Sequence, residues 1–253
     1  MVFKRVKQFI LQCLVQAMLV LWGAQIAHAL VGPSSDADEF SNSIVMVLKS
    51  VKGRASFCTG AFIKKDIILT AAHCVAEPAQ MLILLRTKGA SDQFLQIRNV
   101  MSHPQYNSKA IATRQVSIDI ALLQITTTQA VNPISFNISA NYQTRKNASL
   151  RIAGYGQRIE QDPKSDGHLR QSDLRVREPL SDILVWLESG TQKSSGACSG
   201  DSGGPILDPQ NTEIVAITAW ASGNKQSKCG SLTQGILLKP HLKWIRTMID
   251  QLK

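Results

Sequence analysis

Short apolar runs of strand length punctuate the chain at 44–48, 62–70, 81–85, 94–100, 120–125, 150–153, 183–187 and 214–218. They are rich in Val, Ile and Leu and bounded by Gly, Pro, Asn, Asp or Ser. Runs of this length between turn residues predict an all-β sandwich or barrel. Only the C-terminus reads as helix. Pro240 opens it, and Leu242, Ile245, Ile249 and Leu252 share one helical face. The polar stretch 141–147 reads as a link between two β-units. The 253 residues suffice for one large domain or two small barrels sharing a site.

The first 29 residues are of a different kind. Lys4, Arg5 and Lys7 precede an apolar stretch over 9–24, and Ala27-His28-Ala29 puts small residues where a signal peptidase reads. This order predicts a secretory signal peptide cut after Ala29. Gln12 and Gln16 interrupt the apolar run and leave it short for a membrane anchor. No later segment is long and apolar enough to span a bilayer, so a secreted or periplasmic protein is expected, without membrane contact after signal removal. Of the five cysteines, Cys13 lies in the signal, leaving Cys58, Cys74, Cys198 and Cys229. An even number in an exported chain predicts disulfides. Paired CxxC spacing is lacking, which argues against a metal site. Three basic residues of the signal contribute to the net charge of +10. The remaining Lys and Arg are dispersed, without the basic helix or aromatic-interleaved patch of a nucleic-acid binder.

Chemistry concentrates in three motifs. In Gly200-Asp201-Ser202-Gly203-Gly204-Pro205 the glycines permit a tight turn, so the N–H groups of Gly200 and Ser202 can point into one space. A serine hydroxyl attacks well only when a base takes its proton and donors stabilise the oxyanion. Thr70-Ala71-Ala72-His73-Cys74 delivers a histidine at a strand end. Asp119-Ile120-Ala121-Leu122-Leu123 sets an acid at the head of an apolar strand, where it needs a hydrogen-bonded partner such as a histidine. Gly-x-Ser-x-Gly is also the nucleophile elbow of α/β-hydrolases, for which Ser202, Asp208 and His241 fall in the right order. A parallel-sheet pattern ahead of the elbow is missing, and the other motifs would go unexplained.

The chain resembles the trypsin/chymotrypsin-like serine protease family over nearly all of its mature length. The resemblance rests on Thr70–Cys74, on His103-Pro104-Gln105-Tyr106-Asn107 followed by Asp119–Leu122, on Gly154-Tyr155-Gly156 and on Gly200–Pro205. It implies two six-stranded antiparallel β-barrels, about 30–140 and 141–239, with a C-terminal α-helix at 240–253 and the site between the barrels. It also implies endopeptidase activity through an acyl-enzyme. His73, Asp119 and Ser202 would be catalytic, and Gly200 and Ser202 would form the oxyanion hole. Disulfides Cys58–Cys74 and Cys198–Cys229 are implied, each closing a modest loop worth about 3 kcal/mol. A freed Leu30 ammonium would pair with Asp201. The primary pocket would be lined by Gly196, Ala197, Ala219, Trp220, Ala221 and Gly235.

The chain departs from the family at several places. Leu30-Val31-Gly32-Pro33 replaces the usual start, Ala219 replaces a serine that bonds the triad acid, and Ala221 replaces a pocket-wall glycine. The pocket candidates carry no charge, which points to cleavage after small or medium apolar residues. Asp92 alone remains where some relatives bind calcium, so no metal or other cofactor is expected. The expected partners are polypeptide substrates, with a protein inhibitor as a further candidate, and the chain reads as a monomer. His103, His168 and His241 read as structural or solvated, and Asn137 and Asn147 stand in N-x-S sequons. A catalytically silent binding protein on the same fold is the rival reading, disfavoured by the intact triad and Gly200.

Overall fold

The computed structural model describes residues 30–113, 115–126, 131–136, 143–160, 162, 165, 167–190, 195–208, 213–225 and 227–252. The expected signal segment with Cys13, Asn137 and the start of the 141–147 link lie outside them.

Two antiparallel sheets make up the fold. The first contains β2 (Ile44–Val51), β3 (Arg54–Phe62), β4 (Ile67–Thr70), β5 (Met81–Leu85), β6 (Gln93–Leu95), β7 (Ile97–Ser102) and β8 (Ala121–Ile125), in the order β6-β5-β2-β3-β4-β8-β7. The second contains β1 (Ser35–Asp36), β9 (Ser149–Gly154), β10 (Arg170–Arg177), β11 (Leu184–Glu188), β12 (Pro205–Asp208), β13 (Glu213–Ser222) and β14 (Leu232–Leu237). Its order is β1-β10-β11-β14-β13-β12-β9, and pairing of β10 with β9 closes β9 to β14 into a six-stranded barrel. The first sheet rolls into a half-barrel. Its outer strands β6 and β7 meet through Gln96, so the expected run 94–100 is one segment bent at that residue.

The strands follow the sequence pattern with two instructive departures. The run expected over 62–70 is broken: Phe62 ends β3, the polar Lys64, Lys65 and Asp66 form a turn, and Ile63 N donates to Ile67 O at 2.9 Å. Strand β10 carries few apolar residues. Arg170, Ser172, Leu174 and Val176 nevertheless point inward while Gln171, Asp173, Arg175 and Arg177 point outward or stay half-buried, the period of two that a half-buried strand requires. The cores are mostly aliphatic, with Phe62, Ile68, Leu69 and Leu122 fully buried in the first and Ile152, Leu174, Leu187 and Ile206 in the second. Burying one such side chain stabilises by about 1.5–3 kcal/mol.

The C-terminal α-helix spans Leu242–Gln251. Pro240 lies in a preceding 3-10 turn, Lys239–His241, so the helix starts two residues later than expected. Ile245 and Ile249 are buried. Gln124 Nε2, from β8, donates to Leu252 O at 2.8 Å and satisfies a carbonyl at the helix end. Both expected disulfides are present, Cys58–Cys74 and Cys198–Cys229. Among the described residues no helix is long and apolar enough to cross a membrane.

Candidate active site

His73 reaches the site from the end of β4, where the chain turns through a short 3-10 segment, Ala72–Cys74. Asp119 lies just ahead of β8. Its segment is held by Ile118 N donating to Gln105 O at 3.2 Å and by His103 N donating to Ile120 O at 2.9 Å. Both Asp119 oxygens serve His73: Oδ1 accepts the backbone N–H at 2.8 Å and Oδ2 stands 2.6 Å from Nδ1. An acceptor at Nδ1 fixes the neutral ring with its proton there and leaves Nε2 basic. Nε2 lies 3.6 Å from Cys74 Sγ. Asp119 is thus satisfied without the hydroxyl that Ala219 lacks.

Ser202 sits in a turn that presses against the first sheet. Gly200 and Gly203 have φ of 98° and 79°, where side chains are strained. A Cβ at Gly203 would also run into Thr70 Oγ1 and Thr59 O, and one at Gly200 into the Phe57 ring. Thr59 on β3 ties the turn down. Its N–H donates to Ser202 O at 2.8 Å, and its hydroxyl donates to Gly200 O at 2.8 Å while accepting from Tyr155 N at 3.1 Å. Gly203 N donates to Thr218 O at 2.7 Å. The N–H groups of Gly200 and Ser202 donate to no acceptor among the described residues.

His73, Asp119 and Ser202 line one cleft of about 840 Å³. No hydrogen bond joins Ser202 Oγ to His73 here. Such bonds are often long without substrate and tighten when it binds. Of the expected pocket residues, Ala219, Trp220 and Ala221 line this cleft, beside Cys198 and Cys229. Gly196, Ala197 and Gly235 do not. Ala197 is buried and its N–H donates to Thr233 Oγ1 at 2.9 Å. Gly196 packs against that same hydroxyl, and Gly235 faces Ile206 and Val185. Two charged residues that sequence reasoning missed also reach the cleft. Glu160 accepts the N–H of Lys228 with both carboxylate oxygens at 2.9 Å.

Beneath the turn, Asp201 is buried. Gly156 N donates to its Oδ1 at 2.8 Å and Cys198 N to its Oδ2 at 2.9 Å. Burial pushes its pKa up to about 7 even though these donors pull the other way. Leu30 is fully buried, and Val31 bridges to Gly196, five residues before Asp201. The metal-ligating atoms gathered here, from Cys58, His73 and Cys74, lie within 4.8 Å of one another. The sulfurs are bonded to each other and so lack the thiolate charge a metal requires. Asp92 pairs with Arg86 Nε at 3.1 Å, Asp208 ends β12, His168 is exposed, and His241 packs edge-on against His103.

The model of the family described as Trypsin matches residues 35–245. Granzyme M of Rattus norvegicus is 25% identical, the match covering 94% of this chain and 96% of the relative. Chymotrypsin-like elastase family member 1 of Homo sapiens is 24% identical, over 92% of this chain and 99% of the relative. In structure the chain is similar to neuropsin, a serine protease expressed in the limbic system of mouse brain. The TM-score is 0.69 at 19% identity, over 87% of this chain and all of the other, a likeness of fold alone. The chain belongs to the trypsin family of serine endopeptidases.

Proposed function

We propose that this endopeptidase works through Ser202 as nucleophile, His73 as general base and then acid, and Asp119 as the group that orients His73 and stabilises its imidazolium. The observation that carries this reading is the pair of hydrogen bonds from His73, backbone and ring, to Asp119, with His73 facing the cleft that Ser202 lines. Ser202 Oγ attacks the substrate carbonyl while Nε2 takes its proton. The proton passes to the leaving amine as the peptide bond breaks, and water then hydrolyses the acyl-enzyme by the same route. The N–H groups of Gly200 and Ser202, without acceptors among the described residues, are suited to the oxyanion.

The walls Ala219 to Ala221 support cleavage after small or medium apolar residues. Ala219, Trp220 and Ala221 offer no charge, and an acid at Gly196 would meet Thr233 Oγ1. Burying a substrate cation without a partner costs several kcal/mol. Glu160 sits in the cleft with its carboxylate directed at the Lys228 N–H. Export would also activate the enzyme: cleavage after Ala29 frees the Leu30 ammonium, which pairs with Asp201. Pairing raises the ammonium pKa, so its contribution is full below the unfolded value, about 7.7–8.0, and lost as pH rises through the higher folded value.

The test is hydrolysis of matched peptides with Ala, Val, Leu, Phe or Arg before the cut, by wild type and Ser202→Ala. Wild type should favour Ala, Val or Leu, and the variant should lose on the order of 10⁶ in turnover and its labelling by a serine-directed phosphonate. Retained activity in Ser202→Ala would refute the triad; an Arg preference would refute only the specificity.

A further inference from the structure

Lys49 is a cation that the proposed chemistry leaves unused. It lies on β2 opposite Ser56 of β3, two positions along the ladder from the Val47–Cys58 pair that leads to the Cys58–Cys74 disulfide. Its Nζ donates to His73 O at 2.8 Å. Among the described residues no carboxylate stands within ion-pair distance of it. The side chain is half-buried, and burial draws its pKa below the ordinary lysine value. A partly desolvated ammonium with one carbonyl acceptor has two further N–H donors to offer. Lysines with that much of their charge withdrawn from water are stabilised by an anion.

Its place relative to the chemistry says where the anion would come from. The group that protonates the leaving amine must stand beside the departing half of the substrate, so on the proposed mechanism that half lies along the His73 side of the cleft. Lys49 reaches the main chain of that same histidine. The primary pocket walls, Ala219 to Ala221, lie on β13 in the other sheet. A charge at Lys49 therefore acts on residues after the scissile bond and not on the residue before it.

We infer that Lys49 is a specificity-determining residue that selects an acidic side chain, Asp or Glu, in the first two residues after the cut. The inference rests on the triad assignment made above. The attraction belongs to a partly exposed pair, so about fivefold in kcat/KM between Glu and Lys is its scale, and it weakens as salt rises.

The experiment uses C-terminally amidated peptides of one sequence before the cut, so the varied side chain is the only changing charge. Glu, Ala or Lys occupies the first or second position after it. The readout is the Glu-to-Lys ratio of kcat/KM within each enzyme, which does not depend on the fraction folded. Wild type should favour Glu about fivefold at one of the two positions. Lys49→Arg should keep the preference, Lys49→Met should bring the ratio near one, and Lys49→Glu should invert it. A role limited to supporting the His73 carbonyl would lower all rates together and leave the ratio unmoved, which overturns the inference. So would a wild type indifferent to charge after the cut. Failure to cleave any peptide would instead overturn the triad reading and take this inference with it.

Discussion

Asp119 and Asp201 are the same residue type on opposite sides of the cleft, held by opposite means. Asp119 lies just ahead of β8 of the first sheet and spends both oxygens on His73, one on its backbone and one on its ring. Asp201 lies ahead of β12 in the second, and among the described residues its carboxylate is met only by two backbone N–H groups, deep out of water. The contrast extends to each region. The His73 side is organised by side-chain hydrogen bonds, whereas the Ser202 side is organised by main-chain shape, with Gly200 and Gly203 at positive φ and Thr59 stitching the turn to β3. The first region should therefore tolerate substitution in stability and fail in rate. The second should fail in stability.

The largest effect expected from this contrast is in rate. Asp119→Asn preserves size but offers an amide to Nδ1, which favours the wrong tautomer. The loss for this class of triad is on the order of 10⁴ in kcat, with urea unfolding within about 1 kcal/mol of wild type. A variant that unfolds far more easily would show that Asp119 is mainly structural.

Gly203→Ala is the converse. The added methyl meets Thr70 Oγ1 and Thr59 O at a backbone conformation that side chains disfavour. A loss of roughly 3–5 kcal/mol is expected, read by denaturant midpoint on the inactive Ser202→Ala background. A loss under about 1 kcal/mol would remove the distinction between the two regions.

Asp201 gives the next effect, through pH. Its folded pKa, about 7, is raised chiefly by burial. Between the ordinary carboxylate value and about 7 the folded state holds a proton that the unfolded state has lost, so stability falls as pH rises through that window. Three units correspond to roughly 4 kcal/mol. A chain with residues retained before Leu30 should show this fall between pH 4 and 7. A chain beginning at Leu30 should show a flatter curve if, as proposed, its ammonium pairs with the carboxylate. Equal slopes for the two would refute the pairing.

The smallest effect runs the other way. Burial, and secondarily His103, lower the His241 pKa to about 4, and its buried Nε2 has no hydrogen-bond partner among the described residues. Between about 6.5 and 4 the unfolded chain binds the proton more readily, so stability is lost as pH falls through that window, by no more than about 3 kcal/mol. His103 also lies 4.7 Å, centroid to centroid, from Trp244, whose fluorescence reports the change. His241→Phe should flatten the acid limb of thermal stability; an unchanged limb would place its origin elsewhere.

Much of this was legible before the fold was known. The strands of the first sheet announced themselves because their residues are apolar in short runs between turn formers, and the serine turn because its glycines have a local reason to be there. Strand β10 was missed because its inward face includes Arg170 and Ser172, which only the neighbouring strands make into a sheet face. Glu160 was missed because its partner, Lys228, lies 68 positions away.

The linear sequence determined what local chemistry can determine. That covers the residue types able to attack, accept a proton and turn the chain, together with the apolar periodicity that makes strands. The tertiary structure alone decided which distant groups meet. Thr59 finds Gly200 across 141 positions, and Lys49 finds His73 O. Gly196 and Gly235 turn toward Thr233 and the core instead of the cleft. Such pairings depend on strand register and on how two sheets are set against each other. Those are fixed by the summed burial of many apolar side chains, so no single residue encodes them.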